Sequence, residues 1–241
     1  MRPAIPTLEI GFNPSGASDA GKRGRAVMVV DVIDASTTAE AALAAGALAV
    51  LGASPAGLTS LPVPLDPAGV GRRAGELAKA NNTAVIIAAE PRAAGEDERT
   101  AACAPVLEGI AKAGAVVEAI LPNLGMETAR LAELKGRVLV IVSASGGVVY
   151  DTALASGAGT VGWATVARTV NRTGWTSAEA GAERAVSLGR LAGHRLSVIA
   201  SSSNAPEDLQ GAVEIARLVI TSGFLKLPSE SSGEIIHNIS P

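Results

Sequence analysis

The sequence predicts an α/β protein in three layers, α/β/α, with helices on both faces of a mostly parallel or mixed central sheet. Four segments share one grammar, a short β-branched run, a polar or glycine-rich break and then an Ala-rich helical stretch. They are AVMVVDVIDASTT at 26–38, TAVIIAAEPR at 83–92, RVLVIVSASGG at 137–147 and LSVIASSSNAPED at 196–208. Their apolar runs do not alternate, as expected of parallel strands covered on both sides. Only 2% of the 241 residues are aromatic although 48% are hydrophobic, so Ala, Val, Leu and Ile must build the core. Side chains this small imply close helix-to-sheet packing.

Taken in chain order, TLEIGF at 7–12 reads as an edge strand, and the run at 27–32 as a central one followed by a helix over 39–45. ALAVLGA at 47–53 is a weaker strand. The Pro- and Gly-rich stretch 51–69 is longer than most α/β connections and reads either as a flap over the active edge or as an irregular insertion. A helix over 68–80, a strand at 84–88 and a helix over 99–113 follow. AVVEAIL at 115–121, a helix over 125–134, the strand 138–142 and a helix over 148–156 come next. GTVGWATVA at 159–167 is another weak strand. The helix expected over 177–192 has Thr176 or Ser177 near its start and Gly193 just beyond its end, the usual cap asymmetry. A strand at 196–200 and a helix over 207–222 complete the pattern. The polar tail carries Ile235 and Ile236 as its docking residues. With no strong internal repeat and no long linker, residues 1–241 read as a single α/β domain with a polar C-terminal tail.

Composition removes several function classes. The formal charge of −3 and the lack of a long basic run argue against nucleic-acid binding. Cys103 is the single cysteine, so an intramolecular disulfide and a Cys-rich metal site are excluded; it reads as a buried core thiol or a nucleophile. The N-terminal residues have no apolar signal core, and no apolar run approaches a bilayer span. No membrane role is expected, and a cytoplasmic protein is the default, compatible with a homo-oligomer.

The most informative stretch is 26–38. Its apolar run stops at Asp31, near the C-terminal end of a strand, the edge where α/β proteins bind ligands. Asp34, Ser36, Thr37 and Thr38 then lead into a helix. They are read either as caps or as hydroxyls and N–H groups offered to an anion.

Residues 26–50, AVMVVDVIDASTTAEAALAAGALAV, resemble the opening of the 2-phosphosulfolactate phosphatase family, magnesium-dependent phosphatases of coenzyme M biosynthesis, whose signature is D-V-L-R-A-[ST]-T-T followed by an A-L-A-x-G-A helix. VLVIVSASGGVV at 138–149 is similar to the family's strand and T-T-N-G-T-like loop. VIASSSNAPEDLQGAVEIARLV at 198–219 resembles its strand, turn and Glu-Asp helix start, with Glu207 and Asp208 as the pair. The resemblance implies an α/β fold, Mg²⁺ as cofactor, and phosphate release from a small anionic ester.

Two departures fall on chemistry. Asp34 stands where the family signature has arginine, and Ser143, Ser145, Gly146 and Gly147 replace its threonines and asparagine. A guanidinium clamps phosphate, whereas a carboxylate repels it. Losing one charge-assisted contact removes on the order of 1.5 to 3 kcal/mol, so hydrolysis of 2-phosphosulfolactate itself is expected to be weak and Asp34→Arg to raise it. Oxygen ligands suit Mg²⁺. Asp31 is the first candidate ligand and Asp208 the second, each also readable as a capping or hydrogen-bonding residue. Asp31, Asp34 and Asp208 are thus the catalytic candidates. Ser36, Thr37, Thr38, Ser143, Ser145, Gly146, Gly147 and Ser202 are the substrate-binding ones. His194 and His237 read as structural or solvated, and Arg168 and Arg172 either as surface residues or as residues placed to bind an anion. The reading is a phosphoric monoester hydrolase that binds a small anionic metabolite; the alternative is a diverged or non-catalytic metabolite binder on the same fold.

Overall fold

Apolar runs without alternation become strands that are buried at every residue, as β2 (Ala26–Val30), β4 (Val85–Ala89) and β6 (Val138–Val142) show in the computed structural model. The structure describes residues 5–58 and 61–226; Ile235, Ile236 and His237 lie outside them. The other strands are β1 (Thr7–Phe12), β3 (Ala49–Ala53), β5 (Val117–Pro122), β7 (Val161–Trp163) and β8 (Arg195–Ala200). Helices α1 (Asn13–Lys22), α2 (Ala35–Ala44), α3 (Pro67–Ala80), α4 (Glu96–Ala102), α5 (Ala104–Lys112), α6 (Gly146–Ala155), α7 (Thr176–Leu191) and α8 (Pro206–Thr221) alternate with them. The three-layer α/β/α class holds.

The strands form two all-parallel sheets, in the orders β1-β8-β2-β7 and β3-β6-β4-β5. The four strong runs are therefore shared two and two, instead of lying in one central sheet. Trp163 is the physical reason. Its indole, at the end of β7, lies over Gly52 of β3, and its Nε1–H donates to the Val50 carbonyl at 3.2 Å. A ladder partner would have to sit about 4.8 Å away, in space the ring already fills. Tyr150 of α6 stacks on the same indole, with ring centroids 5.1 Å apart.

Alternation along β2 assigns the layers. Val27 and Val29 face a cluster containing Ala17 and Ala20 of α1 and Ala153 of α6, whereas Met28 and Val30 face Ala182 of α7 and Ile215 of α8. The first cluster continues into β3, β4 and β6 of the other sheet. Glu40, fully buried on α2, adds a second fastening: its carboxylate meets Arg172 at 3.0 Å and also Arg184, whose guanidinium donates to the Trp163 carbonyl. Arg172 is thereby engaged within the protein, and Arg168 is exposed.

Three local differences stand out, two of them with simple causes. Residues 13–22 form α1 despite their low hydropathy, because Pro14 starts the turn and Gly21 lets the helix lie against α6, where a Cβ would stand 2.7 Å from the Ala153 carbonyl oxygen. The helix expected over 99–113 is two helices, with Pro105 opening the second. The stretch expected as a helix over 125–134 is a 3-10 turn, Gly125–Arg130. The sequence also places Lys22, Arg23 and Arg25 as a basic patch just before β2, read as a solvated approach to the sheet; Arg25 is instead buried, donating to Ser197, Thr7 and the Leu196 carbonyl.

A methyl group at Gly52 would stand 2.5 Å from the Trp163 ring and 2.7 Å from the Tyr150 Cβ. Gly52→Ala is therefore expected to cost about 1 to 3 kcal/mol, read as a lower denaturation midpoint; unchanged stability would mean that the sheet junction is not close-packed. Replacing Arg172 and Arg184 together with Ala leaves Glu40 buried without a cation. A loss of about 3 to 5 kcal/mol is expected in urea denaturation.

Candidate functional site

Every strand is parallel to its neighbours, so within each sheet the residues that follow the strands collect at one edge. A polar residue follows seven of them directly: Asn13, Asp31, Ser54, Glu90, Asn123, Ser143 and Ser201. All but Asn13 and Glu90 are buried. Buried polar groups need partners, and the partners they find tie the edges of the two sheets together.

Asp31 is the centre of that arrangement. Its Oδ2 accepts from the Ser145 hydroxyl and from the Gly146 N–H, each at 2.6 Å, across the boundary between the sheets. Ser145 stands immediately before α6, so the carboxylate rests on the helix N-terminus, where backbone N–H groups and the helix dipole favour an anion. Ser143 Oγ lies 3.0 Å from Ser145 Oγ and also accepts from the Ser145 N–H. Because the single Ser145 proton is directed at Asp31, the Ser143 hydroxyl must be the donor in that pair. Gly146 is required by the geometry: a Cβ there would stand 2.7 Å from Asp31 Oδ2 and 3.0 Å from the Ala35 Cβ. Burial pushes the Asp31 carboxyl up from 3.8 to about 6; the bonds from Ser145 and Gly146 pull it down, and the charges of Asp208 and Glu90 add to the rise.

A cavity of about 590 Å³ opens beside Ser145, with Ala144, Ile33, Pro55, Glu90 and Arg92 among its walls. Pro55 and Ala56 belong to the long connection after β3, so part of that segment borders the cavity. Asp151 of α6 holds the connection, accepting from the Ser54 hydroxyl at 2.5 Å and from the Asp66 N–H at 2.8 Å. Arg92 Nη2 lies 2.5 Å from Asp34 Oδ2. Burial raises the Asp34 carboxyl and Arg92 lowers it. The carboxylate at position 34 is thus paired, and a guanidinium reaches the site from the loop after β4. Glu90 Oε1 accepts from Asn123 Nδ2 at 2.9 Å, and Asn123 Oδ1 accepts from the Thr38 hydroxyl at 2.5 Å.

The structure therefore divides the residues expected from sequence. Asp31, Ser143, Ser145 and Gly146 meet directly, and Asp34 stands at the cavity rim through Arg92. Ser36, Thr37 and Thr38 turn inward instead of offering hydroxyls to a ligand. Ser36 Oγ accepts from the Asp31 N–H and donates to its carbonyl; Thr37 donates to the Val32 carbonyl; Thr38 donates to Asn123. Ser36 and Thr37 pin the turn that aims Asp31, and Thr38 holds Asn123. Gly147 packs against the Ala53 carbonyl, where any Cβ would collide, so it brings α6 close to β3 instead of cradling an anion. Asp208 uses both oxygens, Oδ1 for the Val32 N–H at 2.8 Å and Oδ2 for the Ser201 hydroxyl at 2.7 Å. It positions the Asp31 turn and has no oxygen without a protein donor. Ser202 accepts from Asn204 within its own loop. Sequence reasoning missed Glu90, Arg92 and Asn123. The signal for Glu90 was present, a polar residue ending an apolar run, as at Asp31.

Among the described residues no three His, Cys, Asp or Glu side chains are grouped so as to hold a metal ion. An all-protein cage is thereby unsuited, but Mg²⁺ ordinarily keeps several waters and binds through one or two carboxylates plus substrate phosphate oxygens. Glu90 fits that requirement: its carboxylate borders the cavity and Asn123 takes one bond of one oxygen. Cys103 is buried, and its thiol is pushed up to about 12, which makes it unreactive. No helix among the described residues is long and apolar enough to cross a membrane.

No protein-family model matches the chain, and no curated protein matches it. The likeness to the phosphatase family rests on the quoted residues, above all 26–50.

Because the folded Asp31 holds its proton more tightly than the unfolded chain does, its ionisation costs stability. That cost appears as pH rises from about 4 to about 6 and is complete above, on the order of 3 kcal/mol. Urea melts from pH 4 to 7 should show stability falling with pH over this window, with a clearly shallower slope in Asp31→Asn; equal slopes would contradict the burial argument. Gly146→Ala should displace α6 from Asp31 and abolish any activity of the site, while Gly159→Ala, where a Cβ meets open space, should leave it intact.

Proposed function

We propose that the protein is a cytoplasmic, magnesium-dependent phosphatase that hydrolyses a small anionic phosphate ester. The observation that carries this reading is the joining of Asp31 to Ser145 and the start of α6, beside a cavity that also presents Arg92. Phosphoryl transfer needs a cation for the phosphoryl oxygens, a proton acceptor for the attacking oxygen and a proton donor for the leaving one. Arg92 is the guanidinium at the cavity, able to take two anionic oxygens at once. Asp31, held up to about 6, is near enough to neutrality to accept a proton and return it. The Thr38, Asn123 and Glu90 chain holds the Glu90 carboxylate at the wall, where Mg²⁺ would be bound. When bound, the metal would neutralise phosphoryl charge.

The pairing of Asp34 with Arg92 changes the expectation at position 34. Asp34→Arg would set one guanidinium against another, so no gain of activity is expected from it. Asp34→Asn should release Arg92 for the substrate and lower KM. Arg92→Ala should raise KM about 10- to 100-fold, the worth of one charge-assisted contact, with a smaller change in kcat. Phosphate release from a panel of small esters bearing a second carboxylate or sulfonate, with Mg²⁺ or with chelator, checks each statement. Absence of release from every ester in the presence of Mg²⁺ would overturn the reading.

A further inference from the structure

We infer that Ser145 is the nucleophile of this site and that turnover passes through a phosphoseryl intermediate, an inference that takes its substrate class from the phosphatase reading.

Three independent features converge on Ser145. The first is the turn. β6 ends at Val142, and Ser143-Ala144-Ser145-Gly146-Gly147 leads at once into α6. Small residues stand two before and two after Ser145. In strand-turn-helix nucleophile elbows that spacing is needed because a turn tight enough to push a hydroxyl outward leaves no room for larger neighbours. The crowding is visible here: Ser143 is fully buried, and a Cβ on Gly147 would collide with the Ala53 carbonyl. The second is exposure. Ser145 is half-buried and lines the cavity, while Ser143, Gly146 and Gly147 are buried. Ser36, Thr37 and Thr38, the other hydroxyls first expected to meet a ligand, are directed at protein groups. The third is a base in place. A serine hydroxyl needs a proton acceptor within about 2.6 to 3.2 Å, itself oriented by a further group. Asp31 Oδ2 accepts from Ser145 Oγ at 2.6 Å and is held by the Gly146 N–H. Ser36 pins the Asp31 backbone from both its N–H and its carbonyl.

In the first step Ser145 Oγ forms a bond to phosphorus as the ester P–O bond breaks. The Ser145 proton passes to Asp31, and from Asp31 to the departing alkoxide, which leaves as the alcohol. In the second step water attacks the phosphoserine and gives its proton to Asp31. The P–Oγ bond breaks with its electron pair on Ser145, which regains the proton, and inorganic phosphate is released. Each proton taken is returned, and no outside oxidant or reductant enters.

Two readouts on the full chain test this. In one, the native protein is mixed with Mg²⁺ and the ester panel, quenched in acid and mapped by peptide mass spectrometry while released phosphate is measured in parallel. In the other, the native protein is treated with a fluorophosphonate, a phosphorus electrophile that needs no particular leaving alcohol. The expected result is an adduct on Ser145 in both, with labelling lost in Ser145→Ala and slowed at least tenfold in Asp31→Asn. Mapping the native protein keeps the test decisive even where a variant does not fold. Phosphate release without any adduct on Ser145, retained in Ser145→Ala, would overturn the nucleophile and leave the phosphatase reading standing. Fluorophosphonate labelling of Ser145 without phosphate release would support the nucleophile and overturn the phosphatase. Neither labelling nor release would overturn both.

Discussion

A buried carboxylate set on the first turn of a helix organises this protein. Asp31 directly follows β2 in one sheet, and the hydroxyl and N–H it binds belong to the turn after β6 in the other. In an interior of low dielectric such charge-assisted bonds are strong, and the carboxylate would be costly to leave without them. The surrounding polar groups follow from that need. Ser36 fixes the Asp31 backbone, and Asp208 fixes the next peptide through the Val32 N–H. Gly146 gives α6 the clearance to approach. The same bonds that lower the cost of burying the charge aim it at a serine on a cavity wall.

Close approach is the common device elsewhere. With few aromatic residues, the chain brings helices and strands together over Ala and Gly. A stacked aromatic pair, Tyr150 and Trp163, sits at the seam between the sheets. There the indole replaces a strand ladder with a single hydrogen bond to Val50. Glu40, with Arg172 and Arg184, closes the same seam on α2. Both fastenings keep the β2 and β6 exits within hydrogen-bond reach of each other, which is what the candidate site requires.

The layers and the strand exits were legible in the sequence because burial on both faces leaves an uninterrupted apolar run, and the polar residue that ends it marks the edge. Asp31, Ser143, Ser145 and Gly146 are found that way. The division into two sheets was not legible, since nothing in GTVGWATVA reveals that Trp163 will lie across Gly52. Nor could sequence tell an inward hydroxyl from an outward one: Ser36, Thr37 and Thr38 look like ligands in a linear reading and become struts once the turn closes. Position 34 shows the same limit. Read alone, its carboxylate repels an anion, but a partner 58 positions later in the numbering, Arg92, neutralises it.

The most direct measurement is the titration of the Asp31 carboxyl by ¹³C NMR in the native protein and in Ser145→Ala. The native carboxyl should titrate near pH 6. Removing the Ser145 hydroxyl takes away a bond that favours the ionised form, so the variant should titrate at higher pH. A native value near that of an exposed aspartate, or one unmoved by Ser145→Ala, would contradict the account, because Asp31 would then be neither buried nor bonded to the turn after β6.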